Sequence, residues 1–253
     1  MEIVRKFNIA LFILILFMIS CSGKKEIKPS EIADQEKAFV TANELIEDKD
    51  YEKARTALIE IKAKDTTRKI APLAQLKIAD SYIKEEEPEL AITEYKKFLD
   101  AYPDHQYAPY AQYQIAMVYF SQIEGPERGY GGAARALEEF EKLKRMFPRN
   151  PYKNTIELRI QKCRNIIAEY EFLVGEFYYK KGSYDAAIGR FEGLLKKYPD
   201  YNRGADVLFY TGMSYKKHGK NDRASEYLTR LIERYPDNRL VTDAKKELTK
   251  LKP

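Results

Sequence analysis

The chain has 253 residues and carries 44 Lys and Arg against 39 Asp and Glu, a formal charge of +5. So even a balance gives no nucleic-acid signature. Two cysteines and two histidines exclude a disulfide framework and a metal-rich fold, so packing alone must hold the structure.

The N-terminus is read first. Arg5 and Lys6 precede an unbroken apolar run from Ile9 to Ile19. That run suits the core of a signal peptide and falls short of the roughly 20 residues that span a bilayer. Met18-Ile19-Ser20-Cys21 follows and resembles the lipobox of bacterial lipoproteins. The resemblance implies cleavage after residue 20 and lipid on Cys21, with no other cofactor. Ser22 stands where an inner-membrane retention signal places aspartate, which implies the periplasmic face of the outer membrane. Three acyl chains, at about 0.8 kcal/mol per buried methylene, would make that anchorage nearly permanent. Residues 21–30 then form a lipidated linker. Cys163 is left as the one remaining thiol, so no intramolecular disulfide is expected.

Beyond the linker the sequence repeats. Four segments end alike, at Tyr102-Pro103, Phe147-Pro148, Tyr198-Pro199 and Tyr235-Pro236. Proline cannot continue a helical hydrogen-bond ladder, so each pair closes a helix. Each closing helix carries an alanine near its start (Ala91, Ala136, Ala187 and Ala224) and large apolar residues after it. Ala54, Leu58 and Ile61 give a further unit without the proline. The helix before each shows a small residue followed three positions later by tyrosine: Ala79 and Tyr82, Ala116 and Tyr119, Gly175 and Tyr178, Gly212 and Tyr215. Small residues let two helices approach closely. The pattern resembles the tetratricopeptide repeat, a helix-turn-helix unit of about 34 residues.

An all-α superhelix of about five helix pairs is therefore expected, with a capping helix near Val241 to Leu251. An insert over 122–132 lengthens the third unit, and its Gly129-Tyr130-Gly131-Gly132 reads as a loop. No strand precedes it and no Gly-Lys-Ser/Thr follows, as a phosphate cradle requires. The stretch from Lys153 to Lys181 reads as one long helix. It joins an N-terminal module (31–152, repeats one to three) to a C-terminal module (153–253, repeats four and five and the cap).

Catalytic chemistry is not expected. His105 and His218 fall in turns of different repeats, so neither a metal site nor a histidine-based triad can be assembled. Binding is expected instead. On the repeat register, the first helices present Phe39, Asn43 and Ile46, then Leu76, Asp80 and Ile83, then Tyr110, Tyr113, Met117 and Phe120 to one side. Their offsets keep each set on one helical face. Such a face suits an extended or helical peptide.

A narrower resemblance rests on the lipobox, the five repeats, the insert in the third, and the segments Ala168–Tyr179 (AEYEFLVGEFYY) and Gly182–Glu192 (GSYDAAIGRFE). Together these are similar to the BamD family of outer-membrane assembly lipoproteins. The insert departs from the family, with Pro126-Glu127-Arg128-Gly129 in place of an Asp-Arg-Asp turn. The resemblance implies a non-enzymatic scaffold of the β-barrel assembly machinery. Its N-terminal repeats would receive the C-terminal targeting segment of unfolded outer-membrane proteins, and its C-terminal repeats would dock on a BamA-like barrel subunit beside accessory lipoproteins. Arg190, Arg203 and Tyr210 are assigned to that docking surface, arginine and tyrosine being favoured at interface hot spots. The alternative is another periplasmic tetratricopeptide adaptor, such as the cell-division coordinator, which has a coiled-coil start and no lipid. A wall-active hydrolase would need a clustered catalytic set.

Overall fold

The computed structural model describes residues 29–251; the apolar run, Cys21 and the linker up to residue 28 lie outside the described residues. Among the described residues there are eleven α-helices and no strand. In chain order they are α1 (Pro29–Glu47), α2 (Tyr51–Lys64), α3 (Ala71–Lys84), α4 (Pro88–Ala101), α5 (Ala108–Ser121) and α6 (Gly131–Met146). Then come α7 (Lys153–Lys180), α8 (Tyr184–Lys197), α9 (Gly204–Lys217), α10 (Asn221–Arg234) and α11 (Leu240–Leu251). Each packs on the next, and the first helices of neighbouring pairs also touch (α1 on α3, α7 on α9). The fold is a tetratricopeptide superhelix of five pairs, α1–α2 through α9–α10, closed by α11. The insert between α5 and α6 holds a single 3₁₀ turn at Pro126–Arg128.

The sequence signals act where their chemistry predicts. Proline stands in the first turn of α3, α4 and α5, where its missing N–H costs nothing. Tyr102, Phe147, Tyr198 and Tyr235 cap α4, α6, α8 and α10. The N–H of each still donates to the carbonyl four residues back, while ψ has swung to between 55° and 69°. A following proline disfavours the helical region at the residue before it, so the turn begins there.

Within four of the five pairs, the first helix ends in a left-handed residue: Lys49 (φ 65°), Glu86 (φ 64°), Gly182 (φ 78°) and Gly219 (φ 82°). The next N–H reaches back to close the turn, for example from Glu87 to Tyr82 O at 2.9 Å and from Ser183 to Tyr178 O at 3.0 Å. Only glycine adopts this conformation without a Cβ penalty of about 1–2 kcal/mol. Glu86→Gly is therefore predicted to raise stability by about 0.5–1 kcal/mol after the extra chain entropy of glycine is set against it. Urea unfolding measures this, and an unchanged or lower midpoint would reject it.

Each pair closes on its small residues. Ala79 and Ala91, and Ala116 and Ala136, are fully buried in pairs two and three. In pairs four and five glycine stands in place of the first alanine, where a Cβ would not fit. A Cβ on Gly175 would lie 2.5 Å from the Phe191 ring, and one on Gly212 would lie 2.8 Å from Leu228.

A polar latch also recurs. Gln75 of α3 donates to the Glu94 backbone carbonyl (3.0 Å) and carboxylate (2.7 Å) of α4. Gln112 of α5 does the same to Glu139 of α6 at 3.3 and 2.6 Å. Lys62 donates to Gln75 Oε1. Leu99 occupies the corresponding place in the next repeat, and Gln112 Oε1 is left buried without a partner.

Candidate functional site

Three first helices, α1, α3 and α5, stand side by side and leave two adjoining pockets between them. One, of about 290 Å³, is lined by Phe39, Leu73, Leu76, Lys77, Asp80, Tyr107 and Tyr110. The other, of about 220 Å³, takes in Asn43, Ile46, Glu47, Ile83, Lys84, Tyr95 and Gln114, and shares Lys77, Asp80 and Tyr110 with the first. Tyr107, one of the lining residues, is itself exposed by 43%. Exposed large apolar side chains gathered in one place mark an interaction site, whereas scattered ones do not.

Asp80 is the polar centre of the groove. It accepts hydrogen bonds from Tyr95 Oη at 2.6 Å and Tyr110 Oη at 2.9 Å through one carboxylate oxygen. Lys77 Nζ lies 3.7 Å from the other oxygen. The two tyrosine rings meet edge to face with centroids 6.3 Å apart. Burial, reinforced by the Asp80 charge, pushes the Tyr110 hydroxyl up to about 12 and the Tyr95 hydroxyl higher still. Both phenols therefore stay protonated and act as donors. The groove floor is thus largely apolar, with one carboxylate fixed through one oxygen by two phenols. Asn43 uses its amide locally, donating to Phe39 O at 2.8 Å, and Lys84 pairs with Glu47 at 2.6 Å at the groove's far edge.

Of the residues expected from sequence, Phe39, Leu76, Asp80 and Tyr110 share one pocket, and Asn43, Ile46 and Ile83 line its neighbour. Tyr113, Met117 and Phe120 belong to a different environment. They are half-buried and pack on the core formed by α6 and the first half of α7. Tyr113 stacks on Tyr152 (centroids 4.2 Å, 11° apart), and Phe120 meets Phe140 edge to face at 5.9 Å. Leu73, Lys77, Tyr107 and Gln114 line the groove without having been singled out in the sequence. Stepping back three residues from Leu76, or from Tyr110, reaches Leu73 or Tyr107, so that part of the signal was present.

The three residues assigned to docking lie around α7 and α8. Arg190 pairs with Glu171 at 2.9 Å and Arg203 with Glu169 at 2.6 Å. The Arg203 guanidinium also sits 4.0 Å from the centre of the Phe172 ring. The Tyr210 ring stacks on Phe191 at 6.0 Å. Arg190 and Glu171 occupy the register that Glu94 and Gln75 hold in the second pair, so their ion pair is the same latch with its charge rearranged. Hydrogen bonding to Glu171 raises the Arg190 pKa.

Beside Arg190 lies a surface pocket of about 400 Å³ bordered by Tyr178, Ala186, Gly189, Gly193, Lys197 and Tyr198. A Cβ on Gly189 or Gly193 would meet nothing within 4 Å. The matching positions carry Thr56 and Glu60, Thr93 and Lys97, Glu138 and Lys142, and Glu226 and Arg230 in the other four pairs. Two mid-helix glycines cost about 1 kcal/mol each relative to alanine, and no contact within the chain requires them.

His105 leans edge-on against Phe98 at 5.6 Å, while His218 pairs with Asp185 at 3.2 Å in another repeat. Burial pushes the Cys163 thiol up to about 11, which leaves little thiolate to react. Among the described residues no group of His, Cys, Asp and Glu could hold a metal ion. None of the described helices is long and apolar enough to cross a membrane.

Comparison with known proteins supplies the family. Residues 32–229 match the family model YfiO, described as outer membrane lipoprotein. The chain is 29% identical over 119 residues to the outer membrane protein assembly factor BamD of Caulobacter vibrioides, covering 47% of this chain and 39% of that one. It is 26% identical over 136 residues to the BamD of Vibrio cholerae, covering 50% and 56%. The chain thus spans about half the length of these relatives. Among solved structures, the TPR2AB-domain:pHSP90-complex of yeast Sti1 aligns with 81% of this chain and 79% of that one at 13% identity, with a TM-score of 0.48. With more than half of its length matched by one family model, the chain belongs to the YfiO/BamD family of outer membrane lipoproteins.

Proposed function

We propose that this protein is a lipid-anchored scaffold of outer-membrane protein assembly, with a peptide-binding groove in its first three repeats and a docking surface in its last two. The groove between α1, α3 and α5 carries the reading. It is open, apolar and aromatic, and its one central carboxylate is already satisfied by two phenols. That chemistry suits the apolar side chains of an unfolded chain, and family membership supports a scaffold rather than a catalyst.

Family membership supports the client class, unfolded outer-membrane proteins, and the partners, a BamA-like barrel subunit with accessory lipoproteins. The stripped surface of α8 supports docking there. With Gly189 and Gly193 bare, a partner backbone can come close, and Arg190 borders the approach; Arg203 and Tyr210, outside that pocket, would extend the docking surface. The anchor is the lipid on Cys21, formed after removal of residues 1–20, and it places the repeats at the periplasmic face of the outer membrane. In this reading residues 31–152 and 153–253 act as two modules joined through α7. The alternative, an adaptor for cell division, lacks support from the lipobox and from the family match.

Purification of the full chain from solubilised membranes, with partners identified by mass, tests the proposal. A barrel-forming outer-membrane subunit should co-purify. Gly193→Lys, which places a long side chain on the bare strip, should reduce its recovery at least severalfold while leaving the helical content unchanged. Absence of any barrel subunit from the wild-type preparation would overturn the reading.

A further inference from the structure

Helices α1, α3, α5 and α7 begin on the rim of the solenoid where α2, α4 and α6 end. Gln35, near the start of α1, donates to the Lys64 carbonyl at the end of α2 at 3.2 Å. Lys144, near the end of α6, pairs with Glu157 near the start of α7 at 2.5 Å. On the opposite rim, Lys84 at the end of α3 meets Glu47 at the end of α1 at 2.6 Å. The two rims differ in charge. On the opposite rim, residues 47–53 hold four acids and two lysines, and residues 84–89 hold four glutamates and one lysine. On the first rim, the turn from α6 to α7 carries Lys142, Lys144, Arg145, Arg149 and Lys153, with no acid between Glu141 and Glu157.

That turn departs from its counterparts. Aspartate follows the proline in the other three, as Asp104, Asp200 and Asp237, where Arg149 stands here. The dipole of α6 favours Lys144 and Arg145 in its last turn. It gives no reason for Lys153, which opens α7, a helix with no acid in its first turn. A cation there opposes the positive end of the helix dipole. Lys142 and Lys144 have carboxylate partners. Among the described residues Arg145, Arg149 and Lys153 have none, and all three are exposed. Met146 stands among them exposed by 49%, and Leu158, within the first two turns of α7, by 75%.

Free cations around exposed apolar side chains match the chemistry of an anionic bilayer surface. Headgroup phosphates attract the lysine and arginine, and an apolar side chain enters the interface. The chain also arrives at this rim. Pro29 opens α1, and the stretch from Cys21 to Pro29 reaches no further than about 28 Å. Within such a leash, a modest surface attraction decides which rim turns to the membrane.

We propose that the α6–α7 turn is a second contact with the membrane, in which Arg145, Arg149 and Lys153 bind the phosphates of an anionic phospholipid surface and Met146 enters between headgroups. The proposal rests on the lipid anchor read above. The anchor sets the distance and the turn sets the orientation, with the acidic rim held away from the bilayer.

The full lipidated chain, with an environment-sensitive fluorophore on Met146→Cys, is placed on two kinds of vesicle. One is phosphatidylcholine alone, and the other contains one part in three of phosphatidylglycerol. Cys163 is buried and takes no label. On the anionic vesicles the emission should shift to the blue and rise about twofold or more, and on phosphatidylcholine it should do neither. Salt at about 1 M, which cuts the reach of charge attraction to about 3 Å, should abolish the change. Arg145→Gln, Arg149→Gln and Lys153→Gln together should also abolish it and leave the helical content unchanged. A label on Glu52→Cys, at the opposite rim, should respond to neither vesicle.

The same emission from residue 146 on both vesicles would overturn the contact, as would a response that survives the triple substitution. So would a response seen only when other membrane proteins are reconstituted with the chain, which would assign the turn to an acidic protein partner. Flotation reads the anchor separately. Protein that floats with both vesicles in high salt carries the lipid. Protein that floats only with anionic vesicles, and only in low salt, lacks the lipid but retains the contact. Flotation with neither would overturn both.

Discussion

Phe191→Ala is expected to lower stability by about 3–5 kcal/mol, and to reverse the sign of a second substitution at Gly175. Phe191 is fully buried and packs on Phe172 at 5.7 Å and Tyr210 at 6.0 Å. Its ring fills the space a Cβ on Gly175 would need. In the wild-type background Gly175→Ala should therefore destabilise by about 1–3 kcal/mol, the usual cost of overpacking. Once the ring is gone, the same change should stabilise by up to about 1 kcal/mol, because alanine is the better helix former. Denaturant unfolding of the four proteins measures the coupling. Equal effects of Gly175→Ala in both backgrounds would show that the ring is not why glycine stands there. In a solenoid each repeat supports only its neighbours. Hydrogen exchange in Phe191→Ala should accordingly rise first in α7 to α10, with α1 to α4 least affected.

The second large effect belongs to the groove. Asp80→Ala should cost about 2–4 kcal/mol, since it leaves two phenolic hydroxyls without an acceptor and the penalty is about 1–3 kcal/mol for each. Tyr95 is 1% exposed and cannot turn to water. Adding Tyr95→Phe and Tyr110→Phe to Asp80→Ala should recover most of the loss, because removing donors and acceptor together is nearly neutral. Thermal unfolding of the single and triple variants checks the stability. A triple variant no more stable than Asp80→Ala would reject the network as the cause. Peptide affinity should fall about tenfold or more in Asp80→Ala, where the aromatic floor is no longer held in place.

Much of the groove could be read before any coordinates. Phe39, Leu76, Asp80 and Tyr110 sit at matching or helically related offsets in successive repeats, and periodicity alone puts them on one side. The same periodicity extended the α5 stripe through Tyr113, Met117 and Phe120, yet these pack against α6 and α7. Helical angle fixes the direction in which a side chain points. It does not say whether a pocket or another helix stands there. Lys77 and Gln114 were missed for the converse reason, since neither is apolar and each enters the groove only because its neighbour helix leaves room.

The sequence by itself determined the helix pairs, their limits and the cap, because proline, small residues and aromatics act through local backbone chemistry and close contact within a repeat. Membership of the family was equally legible, in Ala168–Tyr179 and Gly182–Glu192. Only the tertiary structure decided that Asp80 is shared by two tyrosines from different helices and that Arg190 takes over the Gln–Glu latch. Those are relations between side chains far apart in the chain, and they exist only once the repeats have stacked.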